Sequence, residues 1–468
     1  MDRVVANCQT EREKAMLKSG PGEARELERR VGFSMQATSS AISRSDWRVI
    51  LLASLGGALE FYDFVVYSQF ARYIGANFFP NDDAMVSLVV SFSVFAVGYF
   101  ARPLGGIFFS HIGDRVGRRR VLIITILAMS AATAGIGLLP TYAQWGVAAS
   151  ALLVALRVVQ GFCLGGELPG AISYVVETAP RRSGFSVGVV FFCVNSGVVL
   201  AALLNLVVHE TLTVEQIGDW GWRIGFLVGG LLGLVSFFLR LSLEESKEFA
   251  RIRKVASASA VPIAELVRTH APAVLVGVAI LAVTAGFNGL LFAMPAFLPQ
   301  TMGYEAADAS AAQTLALAIM SAGLLFVAWL TDRMSRKSLA LLGTGLLALT
   351  SWPFFAAAQS HSVSLLTLFA LAGVVGSVCA GTVIAVSADL FPTRIRFSGV
   401  ALSYNLAFTL FSGLAPVVAA LLARSTGVPA TAAYYMIGCA VLSFVAALVM
   451  SRYDGRILAD LAPADRPG

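Results

Sequence analysis

The chain has 468 residues, 57% of them hydrophobic and only 13% charged, with a formal net charge of +6 and a mean hydropathy of +0.77. So apolar a composition excludes a soluble globular surface and fits a polytopic membrane protein. The basic residues stand in short clusters between apolar runs, where they set topology, which argues against nucleic-acid binding. Cys8, Cys163, Cys193, Cys379 and Cys439 show no C-x-x-C or His-paired spacing, and the histidines form no cluster, so neither a disulfide nor a metal site is expected. No G-x-x-x-x-G-K-[ST] phosphate loop is present. No cofactor, no catalytic residue and no enzyme activity are expected.

In chain order, residues 1–47 are polar and mixed in charge, and they lack the short apolar core and cleavage site of a signal peptide. A cytoplasmic tail without packed structure is expected there. Twelve apolar segments long enough to cross a bilayer follow, near 48–74, 85–110, 120–139, 146–173, 184–208, 222–242, 272–298, 311–331, 338–358, 363–389, 397–423 and 430–451. Lys and Arg concentrate in alternate connections and in the N-terminal tail. The positive-inside rule then places both termini in the cytoplasm of a multi-pass inner (plasma) membrane protein.

The first segment carries two carboxylates, Glu60 and Asp63, inside G-G-A-L-E-F-Y-D-F-V-V-Y. A charge near the bilayer midplane costs roughly 2.5 to 3.5 kcal/mol even on permissive scales, so these groups need an interior position, partners or protons. At i and i+3 they share one helix face and open to one cavity. Desolvation and mutual repulsion disfavour two charges there, so the pair is expected to hold or exchange a proton near neutral pH. The plainer alternative is a packing bond to backbone or to a buried Arg.

The longest internal connection, residues 243–271, is charged and divides six segments from six. D-R-V-G-R-R at Asp114 to Arg119 recurs as D-R-M-S-R-K at Asp332 to Lys337, 218 positions later. Glu177, Pro180 and Arg182 likewise recur as Asp389, Pro392 and Arg394, each 212 positions on. The expected fold is an all-α membrane protein with 12 transmembrane helices in two pseudo-symmetric six-helix halves, 48–242 and 272–451, joined by 243–271 and followed by a short tail, 452–468.

These motifs resemble the major facilitator superfamily, for which D-R-x-G-R-R between the second and third spans is a signature, and R-V-V-Q-G at Arg157 to Gly161 is similar to its fourth-helix motif. A-L-E-F-Y-D-F (58–64), A-R-P-L-G-G (101–106), L-F-P-T-R-I-R (390–396), Y-N-L-A (404–407) and L-F-S-G-L-A-P (410–416) resemble its metabolite:proton symporter family. That resemblance covers residues 48–451 and implies import of a small carboxylate or zwitterion with a proton, with Arg157 tied to proton coupling. Ser110, Ala328 and Ser335 stand where the signature usually has Gly, so close packing at those helix ends is not expected. The compatible-solute branch often ends in a long coiled coil. This sequence shows no heptads after the last span, which argues against osmosensing.

Arg102 lies about 12 residues before Asp114, roughly 18 Å along a helix and so inside the membrane. Its planar fork suits a substrate carboxylate, and a structural pair with Glu60 or Asp63 is the alternative. Arg157, with Gln160 one turn on, serves either proton coupling or a fixed interhelical bridge. Tyr62, Tyr67, Gln160, Asn195, Asn288, Tyr404 and Asn405 are polar groups within spans, expected to line the cavity or to bond between helices.

Asp114, Arg115, Gly117, Arg118, Arg119, Glu177, Arg181 and Arg182, with Asp332, Arg333, Asp389, Arg394 and Arg396 in the second half, sit at cytoplasmic helix ends. They are expected to form a gate of charge pairs between the halves, in addition to fixing topology. The function expected from all this is a proton-coupled symporter, monomeric in the lipid bilayer, that imports a small organic acid by alternating access. The alternatives are a proline/betaine-type zwitterion symporter and an exporter of the same fold. A signalling receptor is disfavoured, because neither the tail nor the central connection has the size of a domain.

Overall fold

The computed structural model describes residues 57–58, 61–116, 118–165, 183–244, 263–392 and 395–453. These residues are built from helices, because a chain in hydrocarbon must satisfy every backbone N–H and C=O within its own span. Helix α1 comprises residues 61–69 and Ala71–Phe78. It is followed by α2 (Ala84–Val116), α3 (Arg118–Leu138), α4 (Val147–Cys163), α5 (Ser183–Thr211) and α6 (Trp222–Glu244). The second half has α7 (Ile263–Met302), α8 (Ala306–Thr331), α9 (Arg336–Gln359) and α10 (Leu365–Asp389). Helix α11 runs from Arg396–Ala407 through a π-helical stretch, Phe408–Gly413, into Ala415–Thr426, and α12 is Ala432–Val449.

Nine of the helices among the described residues are long and apolar enough to span a bilayer, and the shorter apolar helices Ile124–Leu138 and Val147–Cys163 add two more. With α1 these are the twelve spans, arranged as two six-helix halves. Large apolar side chains face outward, among them Leu231, Phe238 and Leu349. Such a surface suits lipid and not water.

Two element boundaries differ from the sequence expectation. Helix α7 begins at Ile263, with non-helical backbone at His270, so the last part of the expected 243–271 linker is helical. Helix α2 continues to Val116, and the D-R-V-G-R-R segment starts within it.

Each half is tied by polar groups that take orphan carbonyls. Arg223 Nη1 donates to the Gly137 and Leu139 carbonyls at the end of α3, the usual need of a helix C-terminus. Proline creates the same need within a helix, since it has no N–H for the carbonyl four residues back. Pro295 in α7 leaves the Leu291 carbonyl open, and Gln313 Nε2 of α8 donates to it at 2.7 Å.

Candidate transport site

Asp63 of α1 is 2% exposed. Its Oδ2 accepts from Thr133 Oγ1 of α3 at 3.3 Å, and Thr133 Oγ1 accepts from Gln160 Nε2 of α4 at 2.7 Å. Gln160 Oε1 in turn accepts from Arg157 Nη1 at 2.8 Å. A chain of hydrogen bonds thus joins the acid of α1 to the buried base of α4. Small residues permit it: a Cβ on Gly229 of α6 would stand 2.4 Å from Asp63 Oδ1.

Arg157 is fully buried. Its guanidinium carbon lies 4.3 Å from the ring centre of Tyr67, 4.7 Å from Phe64 and 5.5 Å from Phe95. Aromatic faces stabilise a desolvated cation in the absence of a counter-ion. Among the described residues, Nε and Nη2 have no hydrogen-bond partner, an arrangement that leaves the group able to donate to a carboxylate or other acceptor. Glu60 falls outside the described residues.

Arg102 of α2 is also buried, with its guanidinium carbon 5.4 to 5.8 Å from the rings of Phe61, Phe64 and Tyr99. It neighbours the Tyr404 hydroxyl, and its Nε and Nη1 have no hydrogen-bond partner among the described residues. Next to it, Pro103 withdraws the helical donor of the Tyr99 carbonyl. Thr409, in the π-helical stretch of α11, donates to that carbonyl at 2.9 Å, and Ser412 Oγ donates to Tyr99 Oη at 3.0 Å. A π-turn widens a helix locally and recurs at functional sites; here it brings α11 onto α2 across the two halves.

At the centre is a cavity of about 10 Å³, lined by residues of both halves: the rings of Phe61, Phe191, Tyr404 and Phe408 and the amides of Asn195 and Asn288. This volume holds about one water. No carboxylate and no cationic side chain lines it among the described residues.

Of the residues expected to line the cavity, Asn195, Asn288 and Tyr404 do so. Tyr62 donates its hydroxyl to the Gly225 carbonyl of α6, Tyr67 lies beneath Arg157, and Gln160 belongs to the hydrogen-bonded chain. Asn405 Nδ2 donates to the Gly165 carbonyl, and so bridges α11 to the end of α4. Thr133, Tyr99, Thr409, Phe61, Phe191 and Phe408 were not singled out by the sequence. Pro103 was the one available signal, because a proline inside a span predicts a free carbonyl at Tyr99 and a polar side chain to meet it.

The model of the Major Facilitator Superfamily matches residues 51–396 and 276–458. The chain belongs to the Major Facilitator Superfamily. A putative proline/betaine transporter of Staphylococcus aureus (strain COL) is 34% identical over 424 residues, covering 88% of this chain and 90% of the relative. The proline/betaine transporter of Salmonella typhimurium is 33% identical, covering 89% and 86%. In solved structures, the D-xylose-proton symporter shares the fold, with a TM-score of 0.68 at 19% identity over 87% of this chain and 98% of that one.

In this superfamily transporter, polar bonds cross between the halves on both sides of the cavity. On one side, Asp332 at the end of α8 accepts from the backbone N–H groups of Gly184 and Phe185, both at 2.9 Å. The carboxylate thereby caps the N-terminus of α5, where N–H groups are unpaired and the helix dipole is positive. Arg336 holds Asp332 in place, with Nη2 3.3 Å from it and Nη1 2.6 Å from Asp389.

Close packing accompanies the cap, contrary to the expectation drawn from Ala328: the glycines are supplied by α5. A Cβ on Gly188 would come within 2.3 Å of Ala328 Cβ. Arg333 stacks its guanidinium carbon 3.8 Å from the Trp329 ring centre and takes no part in the cap. Arg396 is half-buried at the start of α11. The side chains of Asp114, Arg115, Arg118 and Arg119, and residues Gly117, Glu177, Arg181, Arg182 and Arg394, lie outside the described residues.

On the opposite side, Gln69 Nε2 donates to Gln313 Oε1, Asn205 Nδ2 to Ser310 Oγ, and Ser68 Oγ to the Phe292 carbonyl. Farther out, Arg424 pairs with Asp83 at 3.0 Å on the exposed surface. An exposed pair of this kind contributes little, on the order of 0 to 1 kcal/mol.

Proposed function

We propose that the protein is a proton-coupled symporter of the inner membrane, with both termini cytoplasmic, that imports a small zwitterion of the proline/betaine kind. The observation that carries this is the lining of the central cavity, closed to about one water while both sets of inter-half bonds are made: aromatic rings and two amides, with no charged side chain among the described residues. A ring face attracts an alkylated ammonium through its quadrupole, and the attraction grows as water is excluded. An anion clamp of the kind the organic-acid reading requires would put a guanidinium on the cavity wall. Arg102 stands off that wall instead, its guanidinium carbon 5.8 Å from the Phe61 ring centre and beside the Tyr404 hydroxyl, where it can neutralise a single carboxylate. The names of the two relatives support the same choice.

Asp63 takes the proton from outside, and the Thr133–Gln160–Arg157 chain reports its charge to the fourth helix. Solute and proton together permit the swing between the two sets of inter-half bonds, with the Asp332 cap as the cytoplasmic gate. Uptake of labelled betaine by vesicles holding the protein tests the reading. Excess unlabelled proline or betaine should displace the label, and 2-oxoglutarate or citrate should not. Displacement by the di- and tricarboxylates alone would restore the organic-acid reading.

A further inference from the structure

A second cavity, of about 330 Å³, lies within the C-terminal half between α7, α9, α10 and α12. Its floor is apolar and buried: Leu290, Leu291 and Met294 of α7, Phe369 of α10 and Met436 of α12 are all 4% exposed or less. Two hydroxyls reach it, and each spends its proton on its own helix: Thr350 Oγ1 donates to the Leu346 carbonyl and Ser351 Oγ to the Leu347 carbonyl. They offer water acceptor lone pairs only, short of the two to four polar partners that hold a buried water, so an apolar cavity of this size favours an apolar guest.

The rim is formed by Thr350, Pro353, Val363 and Leu371, all exposed. Thr350, Pro353 and Leu371 belong to the outward faces of spanning helices, where the surrounding medium is bilayer hydrocarbon, and Val363 stands in the connection between α9 and α10 at the end of the groove. We infer that this groove is a binding site for one acyl chain of a membrane lipid, entering between α9 and α10 and ending against α7. The inference is independent of the transported solute. It places the chain end beside Leu290 and Leu291, on the stretch of α7 that also carries the cavity-lining Asn288 and Phe292.

The test is photolabelling of the full-length protein in vesicles of phosphatidylethanolamine and phosphatidylglycerol, doped with a phosphatidylcholine that carries a diazirine along its sn-2 chain. Adducts are mapped by mass spectrometry. The inference expects label on buried Leu290, Leu291 or Met294, severalfold above that on equally buried Phe226 and Ile280. It expects Ala372→Phe, and separately Ala357→Leu, to lower the floor label severalfold while lipid-facing Leu231 stays labelled as before. Label confined to exposed residues such as Leu371 and Leu231 overturns it, as does floor label that is unchanged in a filled variant that inserts. The wild-type ratio of floor to buried control decides the matter even where neither variant inserts.

Discussion

Asp63 and Arg157 are both buried and are joined through Thr133 and Gln160, with no direct ion pair between them in the described structure. An ion pair would fix both charges. A chain through a hydroxyl and an amide lets the acid change protonation and the base sense it by reorienting two uncharged groups. Asp63→Asn keeps the shape and removes the titration. One translocated charge at 100 mV contributes about 2.3 kcal/mol, roughly 50-fold in accumulation. The variant is expected to lose accumulation of that order while still exchanging internal for external solute, measured as counterflow in vesicles.

Thr133→Val preserves volume and deletes the hydroxyl that Asp63 and Gln160 share. Breaking a buried hydrogen-bond network of this kind costs about 1 to 3 kcal/mol. Insertion and solute affinity should hold, and the pH at which uptake is half-maximal should move. A pH profile superimposable on the wild type would reduce Thr133 to a packing residue.

The Asp332 cap makes a prediction about the gate. Charge-assisted bonds from the carboxylate to the Gly184 and Phe185 amides contribute about 1 to 3 kcal/mol in total. Asp332→Asn should therefore open this side, raising alkylation of a Thr331→Cys reporter, at a position 3% exposed on the seam with Gly184, by roughly 5- to 160-fold. Gly188→Val obstructs the same seam and should abolish cycling while leaving the protein inserted, read as lost counterflow at normal abundance.

The cavity rings predict substrate discrimination. Phe191→Leu or Phe408→Leu removes one aromatic face, about 0.5 to 2 kcal/mol for a cation. The half-saturating betaine concentration should rise about 2- to 30-fold. Leucine retains the apolar volume, so an equal rise for an uncharged competitor would point to packing in place of cation–π attraction.

The fold was legible because hydrocarbon imposes one element type, one length and one charge rule on the whole chain. The D-R repeats then declared the two halves. Asp63, Arg102 and Arg157 were legible for a related reason, since a charge within a span stands out from its surroundings. Thr133 did not stand out: a threonine in an apolar helix usually bonds its own i−4 carbonyl, and Thr133 does bond Met129 as well. The cavity phenylalanines were hidden among 31, because a ring facing solute and a ring facing lipid have the same sequence pattern. Arg336 was passed over in favour of Arg333, although only Arg336 sits one turn from Asp332 at i+4, where the two can pair.

The most direct test of zwitterion:proton symport is the external pH of lightly buffered, de-energised vesicles that carry the protein, followed as betaine, proline, 2-oxoglutarate, citrate and shikimate are added in turn. Alkalinisation with betaine or proline, absent in Asp63→Asn vesicles, is the predicted result. Alkalinisation with a carboxylate alone, or no proton movement while betaine still enters, would contradict it.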